Sequence, residues 1–138
     1  MIVPTEIARD AVVLSCAVSV GIHGALAPAH FAEGAGPGAG FLAAAVVLAG
    51  VVVALARRPR STAALALAAV VLLGLLASYA LATTTGVPLL HPDPERVTGL
   101  ALATKAIEAV GLLAAAHVLW RDRPEIALTV TRPKGMTT

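Results

Sequence analysis

Four stretches of almost uninterrupted apolar sequence, at about 7–26, 41–56, 62–82 and 98–119, constrain this chain more than any other feature. A helix that crosses a bilayer needs roughly 17–25 predominantly apolar residues, and three of the four runs meet that directly. The second is shorter, about 24 Å if wholly helical, and spans only if Phe41 and the arginines beyond it sit in the interfaces. A re-entrant hairpin is the alternative there, but no proline breaks the run and an even number of crossings accounts better for the charges. Composition agrees, with 58% of residues hydrophobic and 13% charged, and a mean hydropathy of +0.87. The reading is an all-α, polytopic membrane protein, an antiparallel four-transmembrane-helix bundle over residues 1–120 followed by a tail over 121–138.

Arginine and lysine set the orientation. Arg57, Arg58 and Arg60 fall between the second and third runs, and Arg121, Arg123, Arg132 and Lys134 follow the fourth, whereas residues 28–40 contain no Lys or Arg. The positive-inside rule therefore predicts both termini on the cytoplasmic side, an N-in/C-in topology in a plasma membrane. Phe31, Phe41 and Tyr79 fall near the outer ends of the runs and Trp120 near the inner end of the fourth, where interfacial aromatics are expected. The net charge of +2 and the isoelectric point near 9.2 record those arginines and point to anionic lipid headgroups as a partner, not to nucleic acid.

Ala25-Leu26-Ala27 has the small-x-small form of a signal-peptidase site, but Pro28 follows directly and the run is read as a retained helix. Cys16 is the only cysteine, so no disulfide within the chain and no cysteine cluster for zinc or iron–sulfur is available. The helices consist mainly of Ala, Val, Leu and Gly, whose small side chains let backbones approach closely in lipid. So thin a core makes packing against other membrane subunits, or self-association, an expectation beside the coding bias of a GC-rich genome.

Ionisable residues inside the runs carry the functional expectation. Lys105 and Glu108 are one helical turn apart within the fourth run, roughly 10 and 15 Å below its outer end, and charges at such depth are costly and face a protein interior or polar cavity. His23 on the first run and Tyr79 on the third lie at similar depth, so His23, Tyr79, Lys105 and Glu108 form a candidate intramembrane polar cluster. His117 falls on the opposite side of the fourth helix near its inner end. That separation from His23 disfavours a haem held by two histidines. Three roles compete for the cluster: a register lock, a ligand site, and a proton or ion relay. In the ligand reading His23, His30, Glu33 and Glu108 are candidate ligands of a divalent metal, although their spacing matches no strong signature. The two outer loops add His91 and Asp93 as further candidates, with Asp93 or Glu95 as a simple cap of the fourth helix in the plainer reading. No nucleophile motif, phosphate loop or catalytic carboxylate pair is present, which argues against an enzyme.

The stretch Gly21-Ile22-His23-Gly24-Ala25-Leu26-Ala27-Pro28-Ala29-His30-Phe31-Ala32-Glu33, the segment Thr84-Thr85-Gly86-Val87-Pro88 and the motif Lys105-Ala106-Ile107-Glu108 resemble a group of small four-helix actinobacterial membrane proteins. The resemblance covers most of the chain, implies the four-helix fold and a bacterial plasma-membrane address, and brings no reaction with it. Members of that group often have an arginine near the position of Thr84, and its absence here puts an anion-binding role for that loop in doubt.

In the tail, Ile126, Leu128 and Val130 alternate with smaller or polar residues, a strand pattern too short to stand alone that could join a partner's sheet edge; a disordered basic tail is the plainer reading. The functional expectation is a non-catalytic subunit or accessory component of a larger membrane assembly. The alternative is a stand-alone metal-binding or small-solute or ion transport protein working through His23, His30, Glu33 and Glu108.

Overall fold

The computed structural model describes residues 4–87 and 94–122, and these form helices with no β-strand among them. Four helices follow in order: α1 (Thr5–Glu33), α2 (Ala35–Arg57), α3 (Thr62–Thr84) and α4 (Gly99–Arg121). All four are long and apolar enough to cross a membrane. At about 1.5 Å per residue even a 23-residue helix reaches roughly 35 Å, more than the hydrocarbon core of a bilayer. The expected second run is therefore not a short crossing. It is the C-terminal part of a 23-residue helix.

The connections explain the difference. Residues 28–40 read as a Pro- and Gly-punctuated loop, yet α1 continues through Pro28 to Glu33 and α2 begins at Ala35, leaving Gly34 alone between them. Pro28 forfeits one backbone hydrogen bond without ending the helix, as prolines in apolar helices often do. Pro37 lies in the first turn of α2, where an amide N–H has no helical partner to lose. Gly38 marks the crossing of the two helices, because a Cβ there would lie 2.2 Å from the Phe31 ring and 2.7 Å from the Phe31 Cα. At the opposite end Ser61 caps α3, its hydroxyl accepting from the Ala64 amide at 3.2 Å. Thr98 caps α4 in the same way, accepting from the Ala101 amide at 3.2 Å. The cap of α4 is thus Thr98 and not Asp93 or Glu95; Asp93 lies outside the described residues, and the Glu95 amide donates to the Ala82 carbonyl at 2.9 Å, folding the connection back over the end of α3. Gly86, with φ of 70°, takes the left-handed conformation at that turn, where a side chain would be strained.

The helices form a ring in which α1 packs chiefly on α2 and α4, and α3 chiefly on α4, while α2 and α4 do not meet across the diagonal. Direction alternates along the ring. Arg9 near the start of α1 donates both to the Pro59 carbonyl in the α2–α3 turn and to the Asp122 carboxylate after α4, so those three points share one end of the bundle. Gly34 and the α3–α4 connection occupy the other.

Inside that ring, the half toward the Arg9 end is closed by Val12, Cys16, Leu48, Val51, Leu65, Leu72, Ala115 and Val118. Large apolar side chains also face outward: Leu14 is 65% exposed, Val70 66% and Leu113 70%. A helix apolar all round suits a lipid surround, and in water such a surface would form a patch far beyond what soluble monomers tolerate. Amphipathicity is consequently weak, and what separates inside from outside is size and polarity. The inward face of α4 is Thr104, Glu108, Gly111, Ala115 and Val118, a stripe of small and polar groups at heptad-like spacing.

Gly111 is where α4 comes closest to its neighbours, since a Cβ there would lie 2.6 Å from the Ser15 Cβ of α1 and 3.1 Å from the Leu72 Cδ1 of α3. Gly111→Ala is expected to destabilise the bundle by about 1–3 kcal/mol through overpacking. Gly74→Ala, at a helical position with nothing within 4 Å, is expected to be neutral or stabilising by up to about 1 kcal/mol. Reversible unfolding in mixed detergent micelles measures both, and equal effects would contradict the assigned packing.

Candidate functional site

The site is built from positions one helical turn apart on α1 and α4. Ser19 and His23 are four residues apart on the inward face of α1, and Lys105 and Glu108 three apart on α4, so each pair shares a face and the two faces meet. Glu108 is completely buried. Both of its carboxylate oxygens are nevertheless bonded: the Ser19 hydroxyl donates to Oε1 at 2.7 Å and the Lys105 ammonium donates to Oε2 at 2.6 Å. A buried carboxylate without such partners would carry a prohibitive desolvation cost, and a charge-assisted pair plus a hydroxyl offsets much of it.

His23 extends the network. Its Nδ1 lies 2.9 Å from the Ser19 carbonyl, 3.2 Å from the Ser19 hydroxyl oxygen and 3.9 Å from Glu108 Oε1. A carbonyl only accepts, so Nδ1 carries the proton of this contact, and Nε2 is an acceptor when the ring is neutral. His30 repeats the arrangement one level further along α1, its Nδ1 donating to the Leu26 carbonyl at 3.0 Å. Phe41 of α2 serves both histidines: its ring stacks on His30 with centroids 3.7 Å apart and lies 5.2 Å from the His23 ring. Lys105 also donates to the Leu75 carbonyl of α3 at 3.4 Å and holds its ammonium 5.5 Å from the centre of the Tyr79 ring. The Tyr79 hydroxyl is buried and has no hydrogen-bond partner among the described residues.

Above this network, toward the Gly34 end, a cleft of about 440 Å³ opens among the four helices. Its volume is that of a small-molecule site. His23, Thr104 and Lys105 lie at its deep end, Glu95 and Arg96 come from the α3–α4 connection, and Phe41, His30 and Tyr79 contribute to its walls. The remaining lining is mostly aliphatic or alanine, including Ile22, Leu26 and Leu75.

The structure therefore brings His23, Tyr79, Lys105 and Glu108 together around the cleft. The candidate metal set does not converge. His30 is engaged with Leu26 and Phe41, Glu33 is exposed at the last residue of α1, and among the described residues no group of three or more His, Cys, Asp or Glu side chains could hold a metal ion. His91 lies outside the described residues, as does the strand-like pattern of the tail. His117 is on α4 beyond Glu108, half-buried and apart from the cleft lining. Three residues of the site or its frame were not singled out in the sequence. Ser19 had a signal, one turn before His23 on the same face. Phe41 passed for an interfacial anchor, and Arg9 reaches partners 50 and 113 residues away, beyond any local pattern.

The chain matches no family model, no curated protein and no solved structure.

Lys105→Met leaves Glu108 buried without a cation and is expected to cost about 3–5 kcal/mol of stability. Glu108→Gln should cost less, since the Lys105 side chain is 16% exposed and can turn its ammonium into the cleft. The double substitution is expected to recover most of the Lys105→Met loss, giving a favourable coupling in a double-mutant cycle of unfolding free energies. Simple additivity would show that the pair does not act as a unit.

Proposed function

We propose that this chain is a non-catalytic integral membrane protein, with both termini on the cytoplasmic side, that binds a small membrane-soluble molecule in the cleft at the outer end of its bundle. The observation that carries this reading is the pairing of opposites at one place: a cleft of about 440 Å³ rests on a carboxylate that is wholly buried and fully bonded, while the hydroxyl of Tyr79, which lines the cleft, has no hydrogen-bond partner among the described residues. A fixed polar floor, mostly apolar walls and an unsatisfied hydroxyl are what a small-ligand site requires. The orientation rests on the arginines at the Arg9 end of the bundle, including Arg57, Arg58 and Arg60.

Binding is favoured over conduction by what lies beneath the floor. Below the hydrogen-bonded series of His23, Ser19, Glu108 and Lys105, the bundle is filled mainly by apolar side chains, with Ser15 and Cys16 among them. A proton reaching Glu108 from the cleft meets a half of the bundle that is mostly apolar, which disfavours onward transfer.

A second reading has its own observation. Gly21, Gly50 and Gly74 lie inside helices with nothing within 4 Å of a would-be Cβ, although glycine in a helix interior costs roughly 1 kcal/mol relative to alanine. Close packing against another membrane helix would repay that cost, which supports an accessory role in a larger assembly. A stoichiometric partner that co-purifies in mild detergent and is lost on Gly74→Leu would establish it.

For the first reading, native mass spectrometry of the protein released from its own membrane is expected to show a bound small molecule. Ala44→Phe, which fills the cleft wall, should remove that adduct and leave the helical circular dichroism unchanged. An adduct indifferent to Ala44→Phe, or none in the unaltered protein, would contradict cleft binding.

A further inference from the structure

The charges around the cleft narrow what it can hold. Lys105 is the cation at its deep end, but Glu108 sits 2.6 Å behind it, and Glu95 and Arg96 bring one charge of each sign from the α3–α4 connection. These formal charges cancel. An anionic head seated on Lys105 would lie close to the Glu108 carboxylate, and a cationic head would meet the Lys105 ammonium.

Hydrogen-bonding capacity is not balanced out in the same way. Among the described residues the Tyr79 hydroxyl, which can donate and accept, has no hydrogen-bond partner, and the Lys105 ammonium has three protons against the two acceptors given by Glu108 and Leu75. On α1, His23 and His30 each direct Nδ1 at a backbone carbonyl, which leaves Nε2, an acceptor in the neutral imidazole, as the ring nitrogen open to a ligand. Tyr79 and Lys105 on α3 and α4 and the two histidines on α1 thus line the same cleft. The stacked rings of His30 and Phe41, 19° from parallel, give the cleft one flat aromatic side, and aliphatic groups form much of the remainder.

We propose that the cleft selects a ring-bearing neutral hydroxyl compound with an apolar tail, of the phenol or quinol class, over carboxylates, amines and plain hydrocarbons. The hydroxyl oxygen accepts from Tyr79 and Lys105, its proton goes to a histidine Nε2, and the ring lies along the His30 and Phe41 pair. This assignment rests on the cleft-binding reading and names the ligand class for it.

The test uses the full chain in phosphatidylcholine nanodiscs, titrated calorimetrically with 4-hexylphenol, hexylbenzene, octanoate and octylamine against empty discs. One saturable site for 4-hexylphenol is expected, at least about tenfold tighter than for the other three, an amount appropriate to one or two well-made hydrogen bonds. Tyr79→Phe keeps the ring and removes the hydroxyl, and should weaken 4-hexylphenol several-fold while leaving hexylbenzene unchanged. Saturable binding of octanoate, octylamine or hexylbenzene as tight as 4-hexylphenol, abolished by Ala44→Phe, would overturn the ligand class and leave the cleft reading standing. An undiminished preference for 4-hexylphenol in Tyr79→Phe would overturn the recognition proposed here. If none of the four shows saturable binding above the Ala44→Phe background, the class is refuted whatever adduct native mass spectrometry finds, and absence of that adduct as well would refute cleft binding itself.

Discussion

Everything distinctive about this bundle follows from one carboxylate placed where water does not reach. Glu108 has no exposed surface, and the helices around it must supply in fixed positions what solvent would supply elsewhere. Lys105 supplies the charge, and Ser19 supplies a hydroxyl proton from another helix. Meeting those needs sets the rotation and height of α1 against α4, because a shift of one turn on either helix, about 5.4 Å, would separate the groups. Apolar contacts among Ala, Val and Leu could be satisfied in many registers; the ion pair and its hydroxyl are satisfied in one.

The same requirement shapes the space on either side. Gly111, one turn below Glu108, lets α4 approach Ser15 and Leu72 closely enough for the network to close. Above Glu108, toward the Gly34 end, the space among the four helices is the cleft. Arg9 fastens the far end by joining α1 to the α2–α3 turn and to Asp122.

Much of this was legible in the sequence and part of it could not be. The four helices were readable because lipid-spanning runs need length and apolarity, which a sequence states outright. The meeting of His23, Tyr79, Lys105 and Glu108 followed from depth counting along helices that must alternate in direction. The first hairpin was misread because proline and glycine carry two meanings. They mark loops in most contexts, but here Pro37 occupies a first helical turn and Gly38 a helix crossing. The cleft itself was not legible, since it arises from how far two helix pairs stand apart and no single residue encodes that distance. Nor could the metal set be tested from spacing: His30 and Glu33 lie within a helix, as their neighbours suggest only once Pro28 is known not to end it.

Lys105 and Glu108 must be in direct contact inside the bundle when the protein is in a membrane. Rotational-echo solid-state NMR on protein in lipid bilayers, with the Glu108 carboxyl carbon and the Lys105 ammonium nitrogen labelled, measures that distance without altering a residue. The 2.6 Å contact between nitrogen and oxygen predicts a strong carbon–nitrogen coupling, equivalent to roughly 3–3.5 Å. A coupling corresponding to about 5 Å or more would mean that the two charges are held apart, and the account of both the bundle and its cleft would be wrong.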